Sequence, residues 1–400
     1  MRKFVVSMAA LVSVGLFLTV LLRAQTPAKA SDVVGQLAQR LASGDASLEY
    51  QGRWGYLESL LKALDINLDS QVLVFSRTSL QQEHIGPKTP RALFFNDTVS
   101  VGSVQGGALY EITVAAEDNG VHFYTIGTQQ VERPKIESDD GLCIVCHSAA
   151  YAGHTFVANT YPDEDGSPAY LGGDLFHVTD HRTPFEERWG GWYVSGTHGK
   201  MKHLGNAVAH NPYRPVELET EGTQNLTSLE KKFDVKPYLS PVSDIVALLT
   251  LEHQTRALYY MAALSAQFRL AGSKTLLKKP VLEPQLEAAV QNLVSYLTFA
   301  DEAPLTDPVK GVSTFTQTFP LRGPRDGNDR SLRDFNLKTR VFQYPLSFTI
   351  YTDVFDRMHS AAKERVLRGL FDALKSHGAD GRAAIEILRE TKPELPEYFK

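Results

Sequence analysis

The sequence predicts an α+β protein of several domains: sheet and helices early, an irregular middle, and a mainly helical C-terminal part. Three observations predict it. Apolar residues recur at helical spacing to about residue 66, then give way to short β-branched and aromatic runs from residue 71. Between about 137 and 215 regularity weakens while Gly, His and aromatic residues gather. After residue 240 the helical period returns. With 400 residues, 43% of them hydrophobic and 22% charged, the chain has the length for two or three domains with real cores.

The first 30 residues form their own unit. Arg2 and Lys3 precede an apolar run from Phe4 to Leu22, and Ala28-Lys29-Ala30 supplies the small residues that a signal peptidase reads. Residues 1–30 are therefore expected to be a signal peptide or, uncleaved, an N-terminal membrane anchor. Either way the body lies outside the cytoplasm, in the periplasm. The leader holds four cations and no acid, so the formal charge of −5 becomes −9 over the rest. A body that acidic has no electrostatic reason to seek nucleic acid.

Residues 31–136 read as an α+β domain. Val34, Leu37, Ala38 and Leu41 form one helical stripe, and Leu57, Leu60, Leu61 and Leu64 another. Residues 71–77, 91–95, 109–115 and 121–126 read as strands, with Asp118-Asn119-Gly120 as the hairpin turn between the last two. Residues 137–215 are the irregular segment. Residues 216–240 are polar and charged around 220–236 and read as a linker. In the helical domain, 241–400, Ser243-Asp244 caps a long helix running to about Leu270; further stripes lie at Leu293–Leu297, Ala361–Leu374 and Ala383–Leu388. Residues 304–336 read as a long connection.

Two cysteines exclude a disulfide-rich scaffold and any four-Cys zinc or iron–sulfur site. Both lie in Cys143-Ile144-Val145-Cys146-His147, the Cys-x-x-Cys-His attachment sequence for c-type haem. Thiols three residues apart share one side of a helical turn and can form thioethers with the two vinyl groups on one porphyrin edge. His147, next in sequence, then supplies the proximal imidazole to the iron. Zinc would need two more ligands, and a thioredoxin-like pair expects the motif after a strand in a βαβ unit. Here Glu137-Ser138-Asp139-Asp140 precedes it as a helix start.

The distal ligand is left open by the sequence. Met201 has a suitable separation, within the loop Gly196–Asn206, but His198 and His203 flank it. An iron without a protein ligand on the far side, or one held by His154 or His181, completes the options. Trp189 and Trp192, two of three tryptophans, read either as an aromatic wall against a porphyrin face or as core residues with hydrogen-bonded indoles. Arg182 and Arg188 read as propionate partners or solvated surface. His253, on an apolar helical stripe, reads as a satisfied core histidine or, beside Glu252, as a proton-transfer group near the haem.

The attachment turn resembles that of the cytochrome c superfamily. A wider likeness rests on Arg91–Asp97, Glu187–Tyr193, Gly196–Gly199, Leu251–Gln254 and Gly323–Asp326, which resemble segments of large, exported single-haem cytochrome-like proteins of planctomycetes and related bacteria. The resemblance implies one covalent haem c held by Cys143, Cys146 and His147, a cytochrome c-like central segment and an extracytoplasmic setting; it gives no reaction. Two functions follow as expectations. One is single-electron transfer between periplasmic or membrane redox partners. The other is a haem-dependent oxidoreductase, peroxidase-like or acting on a small substrate at an open or displaceable sixth site, with His198, His203 or His253 as candidate catalytic proton donors.

Overall fold

The computed structural model describes residues 32–116, 120–139, 141, 143, 147, 155–168, 176–211, 216–272 and 283–400. The expected leader, Cys146, His154 and the turn residues Asp118 and Asn119 lie outside the described residues. Two helices open the chain, α1 (Val33–Ser43) and α2 (Leu57–Ala63). Asp32 caps α1, its carboxylate accepting the backbone N–H of Val34 and Gly35 at 3.0 and 2.9 Å. Strands β1 (Val72–Val74), β2 (Arg91–Phe95), β3 (Val99–Ser103), β4 (Leu109–Ala115), β5 (Val121–Gly127) and β6 (Ile136–Ser138) follow. Short strands β7 (Val157–Asn159) and β8 (His177–Thr179) pair with each other. Strand β9 (Trp192–Tyr193) returns to pair with β1, giving a seven-stranded antiparallel sheet of order β6-β5-β4-β3-β2-β1-β9.

The sheet divides the interior in two, because successive side chains point to opposite faces. Phe94, Val101, Tyr110, Ile112, Tyr124 and Ile126 pack with α1 and α2 on one face. Val72, Val74 and Phe95 face the helical layer on the other. That layer centres on α3 (Ile245–Gly272), whose first half is buried on all sides. It packs against α4 (Glu283–Leu297), the short α5 (Phe315–Leu321) and α6 (Asp353–Asp356), and α7 (Ser360–Ser376). Helix α8 (Gly378–Thr391) packs on α7. Among the described residues no helix is long and apolar enough to cross a membrane.

The α+β class is thus observed, but the expected boundaries do not divide the core. Strand β9, from the 137–215 segment, completes the sheet of the 31–136 segment. Residues 216–240 are no tether either: Leu229, Phe233 and Tyr238 are buried against Tyr193 and the sheet, and the Tyr238 hydroxyl donates to the Pro90 carbonyl at 2.8 Å. Three buried apolar residues outweigh the polar composition from which a linker was expected.

Candidate functional site

Cys143 and His147 both have helical backbone, four residues apart, and both are half-buried. Residues at that spacing share a helix face. The His147 ring meets Phe123 at 5.0 Å and Phe156 at 5.9 Å, and Phe156 meets Phe176 edge-on at 5.9 Å. Phe123 comes from β5, while Phe156 and Phe176 immediately precede the paired strands β7 and β8. Phe123 alternates with Tyr124, so the turn lies on the sheet face that α3 covers. There Thr113, Ala115 and Val121 approach Thr155, Gln254, Thr255 and Leu258 across a narrow gap. The three phenylalanines escaped sequence reading, since only the pairing of β7 with β8 brings the two loop residues together.

By residue type, Cys143 with Cys146 would supply thioethers to a covalent haem and His147 its iron ligand, and Phe123 and Phe156 give the imidazole apolar neighbours.

The segment leaving the motif is sewn to the Trp189–Trp192 turn. The Trp192 indole donates to the Ala158 carbonyl at 3.0 Å, and the Gly190 N–H to Asn159 Oδ1 at 2.6 Å. Trp189 itself has a left-handed backbone, φ 72°, followed by Gly191 at φ 90°. A Cβ at Gly191 would sit 2.4 Å from Thr160 Oγ1, so space and torsion both require glycine there. Trp189 is fully buried, and its indole donates to Glu252 at 2.9 Å. Both tryptophans are core residues with satisfied N–H groups.

In the Gly196–Asn206 loop, His198 has both ring nitrogens engaged. The Asn225 N–H donates to Nε2 at 3.1 Å, so the proton sits on Nδ1 and goes to the Met201 carbonyl at 2.8 Å. His203 packs 4.8 Å from the His198 ring and 5.5 Å from Trp189, with its buried Nδ1 facing the Gly205 backbone. Burial lowers both imidazoles, and the His198 ring helps to push His203 down to about 3. Met201 is buried in the same core. His198 and His203 have Phe185 as a common neighbour, whereas the described ring neighbours of His147 are Phe123 and Phe156.

His181 and His253 form a second buried pair. Their Nδ1 atoms lie 2.8 Å apart, so one carries the proton and the other accepts it, and His253 Nε2 lies 2.7 Å from Ser347 Oγ. His181 Nε2 is buried and has no hydrogen-bond partner among the described residues. Burial holds His181 well below its usual range and takes His253 down to about 3. Beside them Arg188 donates to Glu252 at 2.6 Å, and to the carbonyls of Thr183 and His181. Burial raises the Glu252 carboxyl, with Arg188 drawing it back down. Arg182 bonds Asp180 and the Tyr260 hydroxyl, both at 2.8 Å, and lies over the Tyr296 ring. Arg188 is buried and its guanidinium is committed to protein partners, whereas Arg182 is partly exposed and held by Asp180 and Tyr260. Among the described residues no three His, Cys, Asp or Glu side chains gather as a metal-holding group.

No protein-family model, curated protein or solved structure matches the chain. The functional reading therefore rests on its own residues. Of those singled out in the sequence, Trp189, Glu252, His253, His181 and Arg188 meet in one buried polar centre, while His147 belongs to the aromatic group around Phe123 and Phe156.

Proposed function

We propose that this chain is an exported monohaem c-type cytochrome, akin to the large single-haem proteins its sequence resembles, and that it carries single electrons between redox partners in the periplasm. One observation carries the reading: the Cys143-x-x-Cys146-His147 spacing, with His147 set against Phe123 and Phe156. Cys143 and Cys146 hold the porphyrin edge, and His147 binds the iron. When bound, haem supplies one-electron redox chemistry. The phenylalanines limit the access of water to the half-buried imidazole, one lever on the potential of a haem bound there. The leader, Arg2 to Ala30, accounts for export to the compartment where such haem is attached.

The engaged nitrogens of His198 favour a second reading. If none of Met201, His203, His154 and His181 holds the iron, the sixth position would be open to a substrate, and the protein would be a haem-dependent oxidoreductase. Expression with a c-type maturation system tests both. The attachment reading expects a Soret absorption and a mass gain of one tetrapyrrole, both lost in Cys143→Ser/Cys146→Ser; absence of both in the parent protein overturns it. A reduced spectrum insensitive to carbon monoxide supports the carrier, and one that shifts supports the enzyme. Met201→Ala beside His203→Ala then identifies the side chain, if either, that ligates.

A further inference from the structure

On the sheet face opposite His147, a cavity of about 370 Å³ opens between the 50–57 turn, the β3–β4 turn and residues 237–239. Tyr50, Trp54, Tyr110 and Tyr238 give it aromatic walls, and Arg53 and Gln105 bring polar groups to the same space. A concave lining that mixes aromatic rings with polar side chains, here also Ser103, Thr128 and Gln129, suits a small molecule carrying both a ring and a polar head. The walls are fixed before any ligand arrives. The Trp54 indole donates to the Pro237 carbonyl at 3.2 Å, and the Tyr110 hydroxyl to the Trp54 carbonyl at 2.8 Å. Gly55, at φ 55°, holds the turn that presents Arg53 and Trp54; a Cβ there would fall 2.5 Å from the Tyr110 hydroxyl.

Two polar groups in this cavity remain unspent. The Arg53 guanidinium lies 4.7 Å over the Trp54 ring and has no ion-pair partner among the described residues. Gln105 Nε2 is buried and can give one N–H to the Tyr238 hydroxyl, which itself donates to the Pro90 carbonyl; its second N–H has no partner among the described residues. A buried amide donor left unmade is costly, and an acceptor entering the cavity would satisfy it. A cation at the rim of an aromatic box selects an anion rather than a neutral sugar, which would use the ring faces and leave Arg53 unmatched.

We propose that this cavity binds a small aromatic carboxylate: the ring among the tyrosines and Trp54, the carboxylate on Arg53, and a second oxygen accepting from Gln105. The site is separate from the haem turn, and its test does not depend on that turn. Titration calorimetry of 4-hydroxybenzoate into the exported protein, with 4-hydroxybenzyl alcohol and glucose as neutral comparators, is expected to give saturable one-to-one binding of the benzoate. Arg53→Gln should weaken benzoate roughly 10- to 100-fold while changing the alcohol by no more than about threefold. Arg53→Lys should restore most of the affinity, and Gln105→Leu should weaken both aromatic ligands. Thermal midpoints of the variants matching the parent show that the fold is kept. Absence of benzoate binding at millimolar concentration, tighter binding of glucose, or an Arg53→Gln protein that binds benzoate like the parent each overturns the proposal.

Discussion

Glu252 is fully buried and accepts at both oxygens, from Arg188 at 2.6 Å and from the Trp189 indole at 2.9 Å. Removing only the cation leaves a carboxylate with no water to solvate it. Arg188→Met is expected to cost about 3–5 kcal/mol, and adding Glu252→Leu to recover much of the loss, because the uncompensated charge is the main penalty. Urea unfolding of the two proteins checks this, and an Arg188→Met protein within about 1 kcal/mol of the parent contradicts it. Asp32 is a second such residue. Besides capping α1, its carboxylate lies 2.7 Å from His122 Nδ1 and accepts from the Tyr124 hydroxyl at 2.7 Å. Burial alone would raise its pKa, but the hydrogen bonds from His122, the Gly35 N–H and Tyr124 outweigh burial and lower it. A lowered carboxylate stabilises the fold above its unfolded value of about 3.9 and loses that contribution as pH falls through the lower folded value. Asp32→Asn should therefore cost about 1–3 kcal/mol at pH 7, with the difference from the parent shrinking below pH 4. A gap that persists unchanged at pH 3 would show that the charge is not what matters.

At the scale of elements, Asp244 joins the long helix to the connection that follows α4. One carboxylate oxygen caps α3 through the N–H groups of Val246 and Ala247. The other accepts from the backbone of Val312 and Ser313 and from the Ser313 hydroxyl, all at 2.7–2.8 Å. Loss of a cap costs about 1 kcal/mol and loss of hydrogen bonds to a buried charge more, so Asp244→Ala should destabilise by roughly 3 kcal/mol. Hydrogen exchange should then rise together in the first turn of α3 and at residues 312–313; a rise confined to α3 would refute the clamp. The cap was legible because Ser-Asp precedes an apolar run, and so were the helices with clean stripes. Strand β3 was not, because Val-Ser-Val-Gly-Ser carries few strand formers and is held by its neighbours β2 and β4. Helix α5 hid for a related reason. It holds Pro320, and Phe315 and Phe319 make it a helix only by packing against the core.

The whole molecule shows where sequence reading of the site stops. The Cys-x-x-Cys-His pattern is five consecutive residues and is visible in the sequence itself, whereas the aromatic neighbours of His147 come from one strand and two loops that only the fold unites. The histidines were visible as candidates, but their roles depend on tertiary partners: Ser347 for His253, Asn225 for His198. Their common burial has a consequence for the molecule as a whole. His181, His198, His203 and His253 are all held below their usual pKa by burial, His203 and His253 at about 3. The unfolded chain protonates each near pH 6.5 and the folded one does not, so their full contribution stands above pH 6.5 and declines as pH falls toward 3. At pH 5 the gap of about 1.5 units amounts to about 2 kcal/mol for each of His203 and His253, a sizeable share of a stability of roughly 5–15 kcal/mol. Glu252 and Glu302 act in the opposite direction, since burial raises their carboxyls and so favours the fold on the acid side. A single substitution at one histidine leaves both glutamates in place and so isolates that histidine's contribution. His203 packs against Phe185 and Trp189, so His203→Phe keeps the ring while removing the titration. Urea midpoints at pH 7.5 and pH 5 should fall for the parent, and the corresponding loss of stability should be about 2 kcal/mol smaller for His203→Phe. Equal losses in the two proteins would mean that His203 takes up its proton in the folded state, and the buried-neutral assignment would fail.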